Sequence, residues 1–169
     1  PADAERATRP GTHAGLCYSD RGRVRFPPHA NPLLNTRING IAKHGAHLLL
    51  ATMGHGLVIK SGERIWQLTE REGLLSDFCN DVLVDEDGDL WVSSNQGLSW
   101  IHARDGLCET PKINHYTYAN GLLASKVNGV AVTDSLVWVS NDNGLTVFHK
   151  YRLRSPPRPR VYIQQIRIN

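Results

Sequence analysis

The chain lacks any apolar run that could cross a bilayer. Its longest, Leu48 to Met53, contains a Thr and is far short of the roughly 18 residues a membrane helix needs. No basic start leads into an apolar stretch, so no signal peptide is expected. Cysteine is scarce: Cys17, Cys79 and Cys108 lie 62 and 29 residues apart with no Cys-x-x-Cys. That pattern gives neither a zinc cluster nor a disulfide framework, leaves at least one thiol without an intrachain partner, and says nothing of the redox compartment. Charge of one sign is missing too. The net charge is +3, and Lys and Arg are dispersed except at Arg152, Arg154, Arg158 and Arg160, whereas a nucleic-acid footprint needs a concentrated basic face. Gly (15) and Pro (9) are close to ordinary abundance, which excludes collagen-like and low-complexity chains. With 40% hydrophobic and 21% charged residues, the 169-residue chain can bury a core.

What is present is a repeat. The segment Asn80-Asp-Val-Leu-Val-Asp-Glu-Asp-Gly-Asp-Leu-Trp-Val-Ser-Ser-Asn-Gln-Gly-Leu98 returns as Asn128-Gly-Val-Ala-Val-Thr-Asp-Ser-Leu-Val-Trp-Val-Ser-Asn-Asp-Asn-Gly-Leu145, one residue shorter in its turn. Upstream, Asn39 to Leu57 overlays the first copy without a gap, which puts Leu50 at the place of Trp91 and Trp138. The three Asn are 41 and 48 residues apart. A second signature sits at constant offset before them: Pro32-Leu-Leu34, Gly73-Leu-Leu75 and Gly121-Leu-Leu123. Stepping back 41 residues from Gly56 lands on Gly15-Leu16. A chain that starts at Pro1 and opens inside a repeat is expected to be a piece of a longer protein.

Within each unit, short runs rich in Val, Trp and Tyr alternate with Asp-Gly and Asn-Gln-Gly turn signals. Val82–Val84, Leu90–Ser93, Leu98–Ile101 and His115–Tyr118 read as four strands, the content of a propeller blade. Helical repeats are disfavoured, because no window carries an i, i+3, i+4, i+7 stripe free of Gly and Pro. The fold class is therefore all-β, a partial propeller of about three four-stranded antiparallel blades that do not close a ring. Expected divisions are a preceding blade's tail at 1–30, blades at 31–72, 73–120 and 121–151, a Pro/Arg linker at 152–160, and a strand of a following module at 161–169. The glycine of each Gly-Leu pair is expected where a Cβ would clash, and the tryptophans between adjacent sheets. Asn39, Asn80 and Asn128 are expected to cap strands or tie neighbouring blades.

These strings resemble the two-component-regulator propeller repeat: Gly73-Leu-Leu, then Asp-Val-Leu-Val-Asp-Glu-Asp-Gly-Asp-Leu-Trp-Val-Ser, then Gly97-Leu98. The copy at Gly121–Leu145 is similar, and that at Pro32–Leu57 is weaker, lacking Trp and the Asp-Gly turn. After Pro156-Pro157-Arg158-Pro159, the run Arg160–Asn169 resembles the first strand of the three-tyrosine immunoglobulin-like module that follows such propellers. The resemblance implies a non-catalytic, periplasmic, ligand-sensing part of a bacterial membrane receptor whose output is a histidine kinase, hybrid kinase or diguanylate cyclase.

In an up-and-down blade with strands A to D, the B–C and D–A loops emerge on one face. That face is amide-rich: Met53-Gly54-His55, Ser94-Asn95-Gln96 and Asn141-Asp142-Asn143, with Arg37, Asp77 and Lys126 beside them. Amides and hydroxyls both donate and accept, as a carbohydrate ligand demands, although Asn and Ser also serve simply as turn formers. Candidate ligand-binding residues are thus His55, Asn95, Gln96, Asn141, Asp142, Asn143, Arg37, Asp77 and Lys126. No catalytic or metal residues and no cofactor are expected. Asp85-Glu-Asp-Gly-Asp89 does not fit a calcium loop and reads as a solvated turn. The alternatives are a propeller enzyme of the streptogramin-lyase type with His55 as base, and a kelch-like protein-binding scaffold, which exposed aromatics on the loop face would favour and for which these loops are expected to carry none. Expected partners are the remaining blades, the downstream module and a second copy, since open blades invite pairing, with no nucleic acid and no membrane contact. An inserted loop, 102–111, carries Cys108, and its role is open.

Overall fold

The computed structural model describes residues 15–20, 22–25 and 31–152. Most of the 1–30 tail, the linker beyond Arg152 and the 161–169 strand lie outside the described residues. A hairpin, β1 (Tyr18–Asp20) and β2 (Arg23–Arg25), precedes three antiparallel sheets. The first is β3 (Ile38–His44), β4 (His47–Thr52), β5 (Leu57–Ser61) and β6 (Arg64–Leu68); the second is β7 (Cys79–Val84), β8 (Leu90–Ser94), β9 (Gly97–Ile101) and β10 (Ile113–Tyr116). The third shows three strands among the described residues: β11 (Val127–Thr133), β12 (Leu136–Asn141) and β13 (Gly144–His149). Strand order follows chain order in each, and β3, β7 and β11 run beside one another. The architecture is all-β, an open partial propeller.

Sheets meet face to face. Leu49, Leu57 and Ile59 of the first pack on Cys79, Val82, Leu90, Val92 and Ile101 of the second. Trp91, Leu98, Trp100 and Tyr116, on the second sheet's other face, pack on Val127, Val137 and Val139 of the third. Trp91 is fully buried and lies parallel to Trp100 at 5.0 Å between centroids. Among the described residues nothing covers the equivalent face of the third sheet: Trp138 pairs across to Val147, while Leu145 and Val147 are 55% and 42% exposed. At the other end, Leu16, Leu33 and Leu34 close over Ile38, Leu50 and Val58.

Register corrects one sequence expectation. Leu83 pairs with Trp91, but Ala42 pairs with Leu49, so Leu49 and not Leu50 takes the tryptophan's place. The first hairpin turn is one residue shorter and the loop from Ala51 to Leu57 one residue longer, so a gapless overlay hides two compensating changes. Because side chains alternate faces, this one-residue shift sends Leu50 to the opposite surface of the sheet.

Each first strand carries a bulge at its Asn, where the ladder skips at Asn39, Asn80 and Asn128. A bulge leaves backbone groups unpaired, and the preceding sheet answers the need. Asn39 Nδ2 donates to the Cys79 carbonyl at 2.9 Å, and Asn80 Nδ2 to the Val127 carbonyl at 2.8 Å. The expected tie between blades is therefore a side-chain amide read by the next blade's backbone. Asn128, with no fourth sheet beyond it among the described residues, donates to Asp142 Oδ1 instead. The Gly-Leu glycines mark a close approach of backbone. A Cβ on Gly97 (φ +145°) would stand 2.4 Å from the Tyr116 carbonyl at the end of β10, and one on Gly56 2.1 Å from the Leu68 carbonyl at the end of β6. Gly144 meets no such carbonyl among the described residues, where the third sheet shows three strands.

Candidate functional site

Both faces of the sheet ends carry chemistry. On the B–C and D–A face, the loop after β4 is docked on the loop before β7: Gly54 and Gly56 N–H groups donate to the Asp77 carbonyl at 3.0 and 2.9 Å, and Met53 bridges to Phe78. The loop after β8 joins them through the Asn95 N–H, which donates to the Phe78 carbonyl at 3.3 Å. These backbone bonds bring the loops of His55, Asp77 and Asn95 together with Phe78, a residue 47% exposed. Phe78 was missed by sequence reasoning, which looked for amides and took these loops to have no exposed aromatic. Tyr118, on the loop after β10, is 68% exposed and corrects the same expectation. The only signal was an aromatic standing directly after Ser76-Asp77, with no periodicity to flag it.

Several amide-face candidates are engaged within their own loops. Asp77 Oδ1 accepts from the Glu70 N–H at 2.9 Å, which fastens its loop. Asn141 is buried and its Oδ1 accepts from the Asn143 N–H, while Asn143 Nδ2 donates to the Leu123 carbonyl at 3.2 Å. Asp142 accepts from Asn128 and pairs with Lys126 at 3.5 Å; those partners hold its carboxyl below the usual range. Arg37 Nε donates to Asn39 Oδ1 at 3.2 Å, and Asn95 Oδ1 accepts from Asn80 at the same distance. His55 and Gln96 are exposed, each held only through its backbone N–H, on Thr52 Oγ1 and Ser94 Oγ at 3.2 Å. The structure therefore brings His55, Asp77 and Asn95 together with Phe78 at the first–second sheet junction. Asn141, Asp142, Asn143 and Lys126 form a separate group at the third sheet, which turn formation largely occupies.

On the opposite face, Asp85–Asp89 is not the solvated turn its sequence predicts. Asp85 and Asp89 are both buried. Asp85 Oδ1 accepts from the Asp87 and Asp89 N–H groups at 3.0 Å, and Oδ2 from Trp91 Nε1 at 2.9 Å and Lys150 Nζ at 3.1 Å. Lys150 also contacts Asp87 Oδ2, which accepts from Tyr151 Oη at 2.7 Å and lies 3.0 Å from Arg104 Nη2. Burial alone would push the Lys150 ammonium down; hydrogen bonds to Asp87, Asp85 and Tyr151 overcome it and hold the group above its ordinary value. The hydrogen bonds from Lys150 and Tyr151 hold Asp87 below its own. Asp89 is spent on Trp100 Nε1 at 3.1 Å and the Ala103 and Arg104 N–H groups. The ammonium of Lys150 thus fills the position a cation would take, and among the described residues no three His, Cys, Asp or Glu stand close enough to hold a metal.

Comparison with known proteins bears on the fold. No family model matches the chain, and no curated protein matches it. Among solved structures, it is similar to the extracellular domain of BT3049 from B. thetaiotaomicron, assigned as a hybrid two-component system: 17% identity, TM-score 0.65, over 82% of this chain and 21% of that one. The extracellular domain of BT4673 from the same organism matches with 19% identity and TM-score 0.60, over 81% of this chain and 19% of that one. Virginiamycin B lyase from Staphylococcus aureus matches with 13% identity and TM-score 0.51, over 82% of this chain and 50% of that one. The chain spans about a fifth of the length of the two extracellular domains. At these identities the likeness establishes a propeller-type fold and its arrangement of blades.

Proposed function

We propose that the chain is a non-catalytic, extracytoplasmic ligand-sensing segment of a bacterial membrane signal-transduction receptor, and that it reads a carbohydrate on the loop face around Phe78. The observation that carries this reading is the exposed Phe78 in the cluster of loops that also carries the exposed His55 and Asn95. An aromatic face takes the C–H surface of a sugar ring while imidazole and amide groups meet its hydroxyls. The receptor half of the proposal is supported by the likeness to two extracellular domains of signalling systems. Its partners are further blades and a downstream module of the parent receptor; its location is the periplasm. Ligand binding there shifts two protomers relative to one another and passes the change inward.

The test is a thermal-shift titration of the chain with cellobiose, maltose and xylobiose, repeated for Phe78→Ala, with chromatography of the sugars. A saturable rise in melting temperature that Phe78→Ala removes, with the sugar recovered intact, is expected. Turnover of the sugar that His55→Ala stops would replace the sensor reading with an enzymatic one. The exposed pair Phe78 and Tyr118 favours a second reading, a protein-docking scaffold; no sugar response, with a protein partner lost in Phe78→Ala, would establish it.

A further inference from the structure

The insertion between β9 and β10 builds a second concavity that blade geometry does not require. In the first sheet, the corresponding turn from Ser61 to Arg64 needs four residues, whereas His102–Lys112 makes a long loop in the second. This loop folds back over the first sheet: Leu107 packs on the core between the sheets, and Glu109 pairs with Arg64. Between loop and sheet lies a cavity of about 410 Å³ lined by His47, Ser61, Arg64, Trp66, Cys108 and Glu109. It sits on the A–B and C–D face, opposite Phe78.

Its chemistry is specific. Trp66 forms one wall, with the Arg64 guanidinium 5.1 Å from its ring centroid and the His47 ring edge-on at 5.7 Å. Trp66 Nε1 and His47 Nδ1 are shielded from solvent and have no hydrogen-bond partner. Leaving such groups unpaired is costly, and a polar ligand group that a small turn of either ring brings within reach would remove that cost. The carboxylate and guanidinium lining the cavity are paired with each other, so a charged ligand would have to break that pair and strand one member. A neutral ligand bearing hydroxyls inserts without such a loss, accepting from the guanidinium and donating to the carboxylate. The volume falls in the range of small-ligand pockets.

We propose that this cavity is a binding site for a neutral sugar of one or two rings, with Trp66 as its wall, Arg64 and Glu109 as its hydroxyl readers, and the 102–112 loop as its cover. It is separate from the Phe78 face and stands or falls independently of it. Cys108, in the lining and exposed, is a built-in reporter. The experiment measures alkylation of Cys108 by iodoacetamide in the full chain while glucose, cellobiose, maltose and xylobiose are titrated one at a time. At least one sugar is expected to slow labelling saturably. Glu109→Gln, an exposed position whose change leaves the core intact, is expected to weaken that protection about tenfold, as is Trp66→Phe, which keeps a ring and removes the N–H. Phe78→Ala is expected to leave it unchanged. Labelling unaffected by every sugar overturns the proposal. Protection lost in Phe78→Ala but kept in Glu109→Gln and Trp66→Phe overturns it too, while leaving the loop-face reading in place.

Discussion

Replacing Asp85 by Asn tests whether the buried clamp holds the second and third sheets together. The carboxylate accepts four donors, and the amide presents its own N–H₂ toward either Trp91 Nε1 or Lys150 Nζ. Removing one partner of a buried ion pair costs about 3–5 kcal/mol. Asp87 remains in contact with Lys150 and relieves part of this, so about 3 kcal/mol is expected. Lys150→Met is milder, about 1–2 kcal/mol, because Asp85 keeps three other donors and methionine fills the space of the stem. In the double variant no ammonium is stranded, and the loss is expected to be about 1.5 kcal/mol smaller than the sum of the single losses. With a urea slope of about 2 kcal/mol/M, Asp85→Asn alone moves the unfolding midpoint down by roughly 1.5 M. Urea melts of the four proteins, followed by tryptophan fluorescence, measure this. An Asp85→Asn loss below about 0.5 kcal/mol, or strictly additive losses, would refute the argument, for the pair would then behave like a surface one.

Gly97→Ala is expected to destabilise by at least about 2 kcal/mol, combining left-handed backbone with collision on the Tyr116 carbonyl, and Gly144→Ala by less, because among the described residues its Cβ would meet only the Leu123 side chain at 3.6 Å; equilibrium unfolding ranks the two. Asp87 titrates below its ordinary value in the folded chain, so its stabilising share is complete above about pH 4 and fades as the pH falls through the depressed value; melts between pH 5 and 2 should show a shallower decline in Asp87→Asn. Burial pushes the Cys79 thiol up to about 12 while Cys108 is exposed, so a thiol reagent at pH 8 should label Cys108 in the native chain and Cys79 only after denaturation, by mass spectrometry. The face of the third sheet that no described residue covers should draw two copies together through the exposed Leu145 and Val147. Light scattering should report a dimer that Val147→Lys converts to monomer.

Strong periodic signals carried most of the architecture from sequence to structure. The strand pattern, the Gly-Leu close approach and the Asn tie were all readable, because each rests on local geometry that the first two sheets repeat. Misreadings came where a fact depends on partners distant in sequence or on changes that cancel. Leu49 was hidden behind Leu50 by two offsetting single-residue changes. Asp85 looked solvated because the lysine that buries it is 65 residues on, in another sheet. Of the candidate site, the loop face was legible from alternation of strand direction, but Phe78 was not, since a lone aromatic in a loop has no pattern around it.

The Asn tie has a consequence for how such a chain can change its copy number. Each unit carries a plug, the carboxamide, and a socket, the carbonyl just before its own bulge, and neither depends on which neighbour supplies the other half. Apolar faces alone can slide; the plug fixes each sheet's height and rotation against the last. A unit duplicated in the middle of the stack therefore finds both halves waiting, and one removed leaves its neighbours able to rejoin. The stack can be lengthened or shortened by whole units without redesigning any seam.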